Sequence, residues 1–136
     1  MKDIQFIIGS ESDREKLKPA FSLADEKGLT WDCTVLSAHR NLKELITFLE
    51  ENDKEFRCII AAAGLSAALP GVIASLTRVP VIGIPLAVGE LSGVDALLSI
   101  LQLPKGIPVA TMGVGKQGVL NAVHLAERII RNPAAS

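Results

Sequence analysis

The run Cys58-Ile59-Ile60-Ala61-Ala62-Ala63 carries no polar side chain on either of its alternating faces. A strand with one wet face alternates apolar and polar residues. An unbroken apolar run belongs to a sheet covered by helices on both sides, and such sheets are parallel. The flanking sequence agrees, because short apolar runs alternate with amphipathic ones. Strands are expected at Ile4 to Ile8, Trp31 to Leu36, Cys58 to Ala63, Val81 to Ile84 and Val109 to Thr111. Helices are expected at Arg14 to Lys27, Leu42 to Glu51, Leu69 to Leu76, Val94 to Leu101 and Gln117 to Arg131. Gly28 reads as the C-terminal cap of the first helix, and Pro19 inside it predicts a kink or a late start. The order implies an α/β fold with a doubly wound parallel sheet and right-handed crossovers.

The chain's 136 residues make one domain, residues 1–136, with a single substantial core. A formal charge of −1 and an aromatic share of 4%, with no Tyr, argue against a nucleic-acid polymer as partner. Cys33 and Cys58 lack metal or redox spacing and read as buried core thiols of a reducing compartment. The apolar stretch from Ala61 to Val88 is broken by Gly64, Pro70, Gly71, Arg78, Pro80, Gly83 and Pro85, so no membrane span is expected. Met1-Lys2-Asp3 runs straight into a strand, without a signal-peptide pattern. A soluble, cytoplasmic protein is expected.

Ligands of such sheets bind outside the carboxyl ends of the strands. Three loops lie there: Gly9–Asp13, Ser37–Arg40 and Ala63–Ser66. Gly9-Ser10-Glu11-Ser12-Asp13 leads into a helix start, where backbone N–H groups and two hydroxyls suit an anion. Asp13 would repel a phosphate and fits ribose hydroxyls better. Ordinary helix capping by Ser12 or Asp13 is the competing reading. Ser37-Ala38-His39-Arg40 sets a proton-transfer group beside a planar, permanently charged guanidinium, a pairing suited to chemistry on a phosphorylated small molecule. The stretch Gly64 to Gly71 is built of small residues that let a ligand approach the backbone. His124 reads as structural, paired with Glu127 three residues on. No cluster of Asp, Glu, His and Cys points to a metal.

Together these loops resemble the phosphoribosylaminoimidazole carboxylase catalytic-subunit family, whose bacterial members are N5-carboxyaminoimidazole ribonucleotide mutases of purine biosynthesis. Ser10, Ser12 and Asp13 match its Gly-Ser-x-Ser-Asp, and Ser37 to Arg40 match its Ser-Ala-His-Arg. The most specific stretches are Pro80 to Pro85, Gly93 to Pro104 and Gly106 to Thr111. The resemblance implies a three-layer flavodoxin-like (Rossmann-like) fold, a homo-oligomer (an octamer in the family), and a mechanism with neither metal nor organic cofactor. It makes His39 the catalytic proton shuttle. Ser10, Ser12, Asp13, Ser37, Ala38 and Arg40 become substrate-binding residues, and Ala63, Gly64 and Ser66 line the carboxylate pocket. The third loop departs from the mutase pattern Gly-Gly-Ala-Ala-His-Leu-Pro-Gly: it reads Gly64-Leu65-Ser66-Ala67-Ala68-Leu69-Pro70-Gly71, with Ala68 at the second histidine. Ser66 and Ala68 agree instead with the branch that carboxylates aminoimidazole ribonucleotide directly. Direct carboxylation, and a ribonucleotide-binding relative without turnover, are the alternatives to the mutase.

Overall fold

The computed structural model describes residues 1–65 and 67–135. Its sheet has five parallel strands: β1 (Lys2–Ile8), β2 (Trp31–Val35), β3 (Phe56–Ala63), β4 (Val81–Pro85) and β5 (Ala110–Thr111). Their spatial order is β2-β1-β3-β4-β5. The helices are α1 (Arg14–Glu26), α2 (Leu42–Asn52), α3 (Leu69–Leu76), α4 (Val94–Leu101) and α5 (Lys116–Ile130). All ten expected elements are present, with ends shifted by a residue or two. β1 and β3 begin earlier than their apolar runs because Lys2 pairs with Phe56 at the sheet's wet end, where Arg57 is exposed.

The strand period of two divides the core. Ile4, Phe6 and Ile8 of β1, with Cys58, Ile60 and Ala62 of β3, face α1 and α5 and pack on Leu17, Phe21, Ala122 and Val123. Ile7, Ile59 and Ala61 face the other way, onto Leu45 and Leu49 of α2 and Leu69 and Ile73 of α3. Gly83 on β4 makes room for the second layer: a Cβ there would stand 3.1 Å from both Pro70 and Ile100. Gln5, buried in the interior strand β1, donates its side-chain amide to the Phe6 carbonyl at 2.9 Å and to Thr34 Oγ1 at 3.0 Å. Both of its amide hydrogens are thereby satisfied.

Gly28 terminates α1 as expected, at φ 69°. Its N–H donates to Asp25 O and that of Leu29 to Ala24 O, the paired bonds of a Schellman cap. α1 starts at Arg14 and continues through Pro19, so the late start expected from that proline does not occur. Two further expectations need correcting. Cys33 is half-buried, not core, because β2 is an edge strand and this side chain packs only against the margin of the cluster under α1 and α5; Cys58, in β3, is fully buried. Glu127 does not pair with His124. It accepts Lys27 Nζ at 2.8 Å and Arg131 Nη1 at 2.9 Å, while Arg131 Nη2 donates to the Lys27 carbonyl and ties α5 to the end of α1. Among the described residues no helix is long and apolar enough to cross a membrane.

Candidate active site

Strand order reverses between β1 and β3, because the chain first winds outward to β2 and then returns to the far side of β1. The crevice above this switch point is where helix-covered parallel sheets take ligands. A cleft of about 240 Å³ lies there, at the carboxyl ends of β1, β2 and β3. Ser10, Asp13, Ser37, Ala38, His39, Arg40, Ala63 and Gly64, all expected from the sequence, line it. Ser66 lies outside the described residues. Ser12 stands behind the lining, exposed, with its hydroxyl paired to that of Ser10 at 2.9 Å.

The first loop turns through a single 3-10 turn, Glu11–Asp13, before α1. Ser10 is its cap, accepting the Ser12 N–H at 3.4 Å, and the Asp13 N–H donates to the Ser10 carbonyl at 3.0 Å. Capping thus falls to Ser10; the Asp13 side chain makes no cap bond to α1. Asp13 is 9% exposed. Burial pushes its carboxyl above the ordinary aspartate value, partly offset by Lys16 and by the Ser10 backbone. A buried acceptor at the cleft floor suits hydroxyl donors.

The second loop is a turn organised by two side chains. Ser37 Oγ accepts the backbone N–H groups of His39 and Arg40, each at 3.2 Å. Asn41 Oδ1 accepts the Ser37 N–H at 3.2 Å, and the Asn41 N–H returns a 2.9 Å bond to the Ser37 carbonyl. With the backbone held this way, His39 and Arg40 project exposed side chains into the cleft. Arg40 makes no ion pair among the described residues, which leaves its fork available to an anion. Asn41 was not singled out as a site residue from the sequence, although an Asn beside a strand-end turn is a recognisable Asx signal.

The third loop forms the opposite wall with a fourth element that the sequence reading left out. Leu65, Ala68 and Leu69 line the cleft, and so does Val88, from the segment after β4. Leu86 N–H extends the β3–β4 ladder to Ala63 O at 3.0 Å, and Val88 N–H bonds back to Leu86 O. This fold-back lays Val88 over Gly64, where a Cβ would collide with Cγ2 of Val88. Applying the strand-end rule to β4 would have found Val88; its apolar side chain gives no chemical signal of its own. The cleft is therefore two-sided in character: hydroxyls, carboxylate, imidazole and guanidinium from the loops after β1 and β2, aliphatic groups and bare backbone from those after β3 and β4.

Among the described residues no group of three or more His, Cys, Asp or Glu side chains is placed to hold a metal ion. The arrangement can hold an anion at Arg40 and hydroxyls at Asp13, and can move a proton at His39 within a partly apolar enclosure.

Known proteins resemble this chain in sequence and fold. The N5-carboxyaminoimidazole ribonucleotide mutase of Haemophilus influenzae is 44% identical over 128 residues, covering 93% of this chain and 78% of that protein. The mutase of Brucella melitensis is 42% identical over 129 residues, covering 94% and 80%. The crystal structure of Treponema denticola PurE matches with a TM-score of 0.84 at 26% identity, across 96% of this chain and 80% of that one. The family model described as AIR carboxylase matches residues 3–135, so that fold, loops and sequence meet in one conclusion: the chain belongs to the AIR carboxylase family.

Proposed function

We propose that the protein is an N5-carboxyaminoimidazole ribonucleotide mutase, moving the substrate's carboxylate from the exocyclic N5 to ring C4 in purine biosynthesis. The observation that carries this is the meeting of His39, Arg40 and Asp13 with the bare backbone of Gly64 in one cleft, in a chain 44% identical to a mutase of that name. Arg40 and Ser10, with Ser12 behind it, take the 5′-phosphate; Asp13 takes the ribose hydroxyls. Ser37 and Ala38 shape the turn against the substrate. Ala63 and Gly64, with Ser66, border the migrating carboxylate.

The proton balance explains how one histidine can serve. The N5–carbon bond breaks with its electron pair passing to N5, which takes up a proton, and the carbon leaves as CO2. C4 then attacks the CO2 carbon, forming the new bond, and loses its own proton as the ring regains aromaticity. One proton is gained at N5 and one is lost at C4. An imidazole that gives the first and removes the second returns to its starting state. Ala68 removes a second histidine but not this balance.

The test is a pair of assays. One offers N5-carboxyaminoimidazole ribonucleotide without bicarbonate; the other offers aminoimidazole ribonucleotide with it. Turnover in the first is expected. Turnover only in the second assigns direct carboxylation, and silence in both with ribonucleotide binding intact assigns a non-catalytic relative. The same reading implies action in the cytoplasm and self-assembly. Leu91, Val94, Leu98 and Leu101 form an exposed apolar row on and beside α4, which supports packing against further copies of the chain. Light scattering that returned a monomer would overturn the assembly.

A further inference from the structure

Two glycines and two branched side chains interlock across the apolar wall of the cleft. Val88 lies over Gly64, and Leu65 lies over Gly89, where a Cβ would stand 2.5 Å from Leu65 Cδ2. Each loop thus offers a bare backbone position to the other's side chain. Leu65 takes this place at φ 56°, a left-handed conformation that a leucine adopts only at a cost. Burial does not account for it, since the side chain remains 55% exposed. What the conformation achieves is to hold a leucine at the cleft margin, beside Val88, with both lining the cavity.

We propose that Leu65 and Val88 form an apolar clasp that keeps CO2 in the cleft between its departure from N5 and its capture at C4. The inference rests on the mutase reading. Free CO2 carries no charge and accepts hydrogen bonds weakly, so polar side chains hold it poorly. An aliphatic wall excludes the water that would let it diffuse out or hydrate. The polar loops after β1 and β2 grip the ribose-phosphate, whereas the clasp faces the space left for the reacting ring. Leu65 and Val88 are positioning residues: they make no bond to the reacting atoms and instead set the partition between recapture and escape.

The experiment follows the migrating carbon. Substrate carrying a 13C carboxylate is turned over in unlabelled bicarbonate buffer with carbonic anhydrase present. Two quantities are read: the label retained in the product and the free aminoimidazole ribonucleotide released per turnover. The wild-type chain is expected to retain most of its label. Leu65→Gly, which relaxes the strained backbone and removes the side chain, is expected to release several-fold more free ribonucleotide without a fall in Tm. Val88→Ala should behave similarly, and Leu65→Met should recover most of the retention. Label retained at the wild-type level in both Leu65→Gly and Val88→Ala overturns the clasp while leaving the mutase reading intact. A wild-type chain that does not turn over the labelled substrate overturns both.

Discussion

Ser37 Oγ accepts the backbone N–H of Arg40 at 3.2 Å, and the same oxygen accepts that of His39. One hydroxyl therefore sets the direction of both reactive side chains, which otherwise sit exposed on a short turn. Ser37→Ala removes both of these bonds but keeps the Asn41 bonds to the Ser37 backbone. The turn should persist with looser side-chain aim. A fall of about 10-fold in kcat/KM is expected, equivalent to about 1.4 kcal/mol. Steady-state kinetics beside a thermal melt would check it: an unaltered kcat/KM shows that the Ser37 hydroxyl does not position the pair.

His39 and Arg40 should separate kinetically although they are neighbours. His39→Asn removes the proposed proton shuttle and should lower kcat by roughly 10²–10⁴-fold, the usual range for a general acid–base group. Ribonucleotide affinity should change little. Arg40→Ala removes the charged fork proposed to hold the phosphate. Hydrogen bonds to charged groups contribute about 1.5–3 kcal/mol, so KM should rise by roughly 10-fold or more with kcat less affected. A His39→Asn variant with wild-type kcat sinks the shuttle role, and an Arg40→Ala variant with unchanged KM sinks the phosphate role.

What the sequence displayed of this site follows from how chemistry shows in side chains. The three strand-end loops were legible because Gly, Ser, Asp, His and Arg each carry a conformational or ionic signal. The covered parallel sheet was legible for a different reason, the missing polar alternation in the apolar run at Cys58–Ala63. Leu65 and Val88 carried no such signal. Their importance lies in a φ of 56° and in two facing glycines, both set by tertiary packing between loops more than twenty residues apart. The exposed face of Cys33 was likewise invisible, because period-two patterning does not say which strand will lie at the sheet's edge.

Asp13 should be costly to the fold and useful to the site. Burial raises its carboxyl above the unfolded value, with Lys16 and the Ser10 backbone offsetting only part. A raised pKa means that the protonated form favours the folded state. Its contribution is fully present below the unfolded pKa and is lost as pH rises through the folded one. At neutral pH, Asp13→Asn should therefore raise Tm, by on the order of 2 °C, while substrate affinity falls. The Tm gap should narrow as pH drops through the carboxylate range. Equal melting of the two proteins at pH 7 would show that the buried charge costs the fold nothing.

The two thiols should react in a fixed order. Cys58 lies fully buried in β3, and burial pushes its thiol up to about 12. Its thiolate fraction at pH 8 is then on the order of 10⁻⁴. Cys33 is also raised by burial, but it is half-exposed and the Arg14 guanidinium offsets part of the shift. A disulfide-exchange reagent on the native protein should modify Cys33 slowly and Cys58 only after denaturation. Mass spectrometry of partly labelled protein would decide it, and early label on Cys58 would mean that β3 opens locally.

Beneath the first loop, three aromatic rings join β1, β2 and α1. Phe6 meets Phe21 edge-on at 4.9 Å and Trp31 edge-on at 5.7 Å, while Phe21 and Trp31 stack at 4.4 Å. Phe6 is fully buried in the strand that carries Gly9 to Asp13. Phe6→Ala should cost about 3–5 kcal/mol through the lost transfer energy and the cavity left behind. That is a large share of the about 5–15 kcal/mol that holds a domain of this kind together. Trp31, the chain's one tryptophan, stacks on Phe21 beside that cavity and so reports the change directly. Urea titration followed by Trp31 fluorescence should show a lower midpoint with a similar slope. A midpoint within experimental error of wild type would mean that the remaining rings close the space, and that the aromatic cluster does not anchor the first loop.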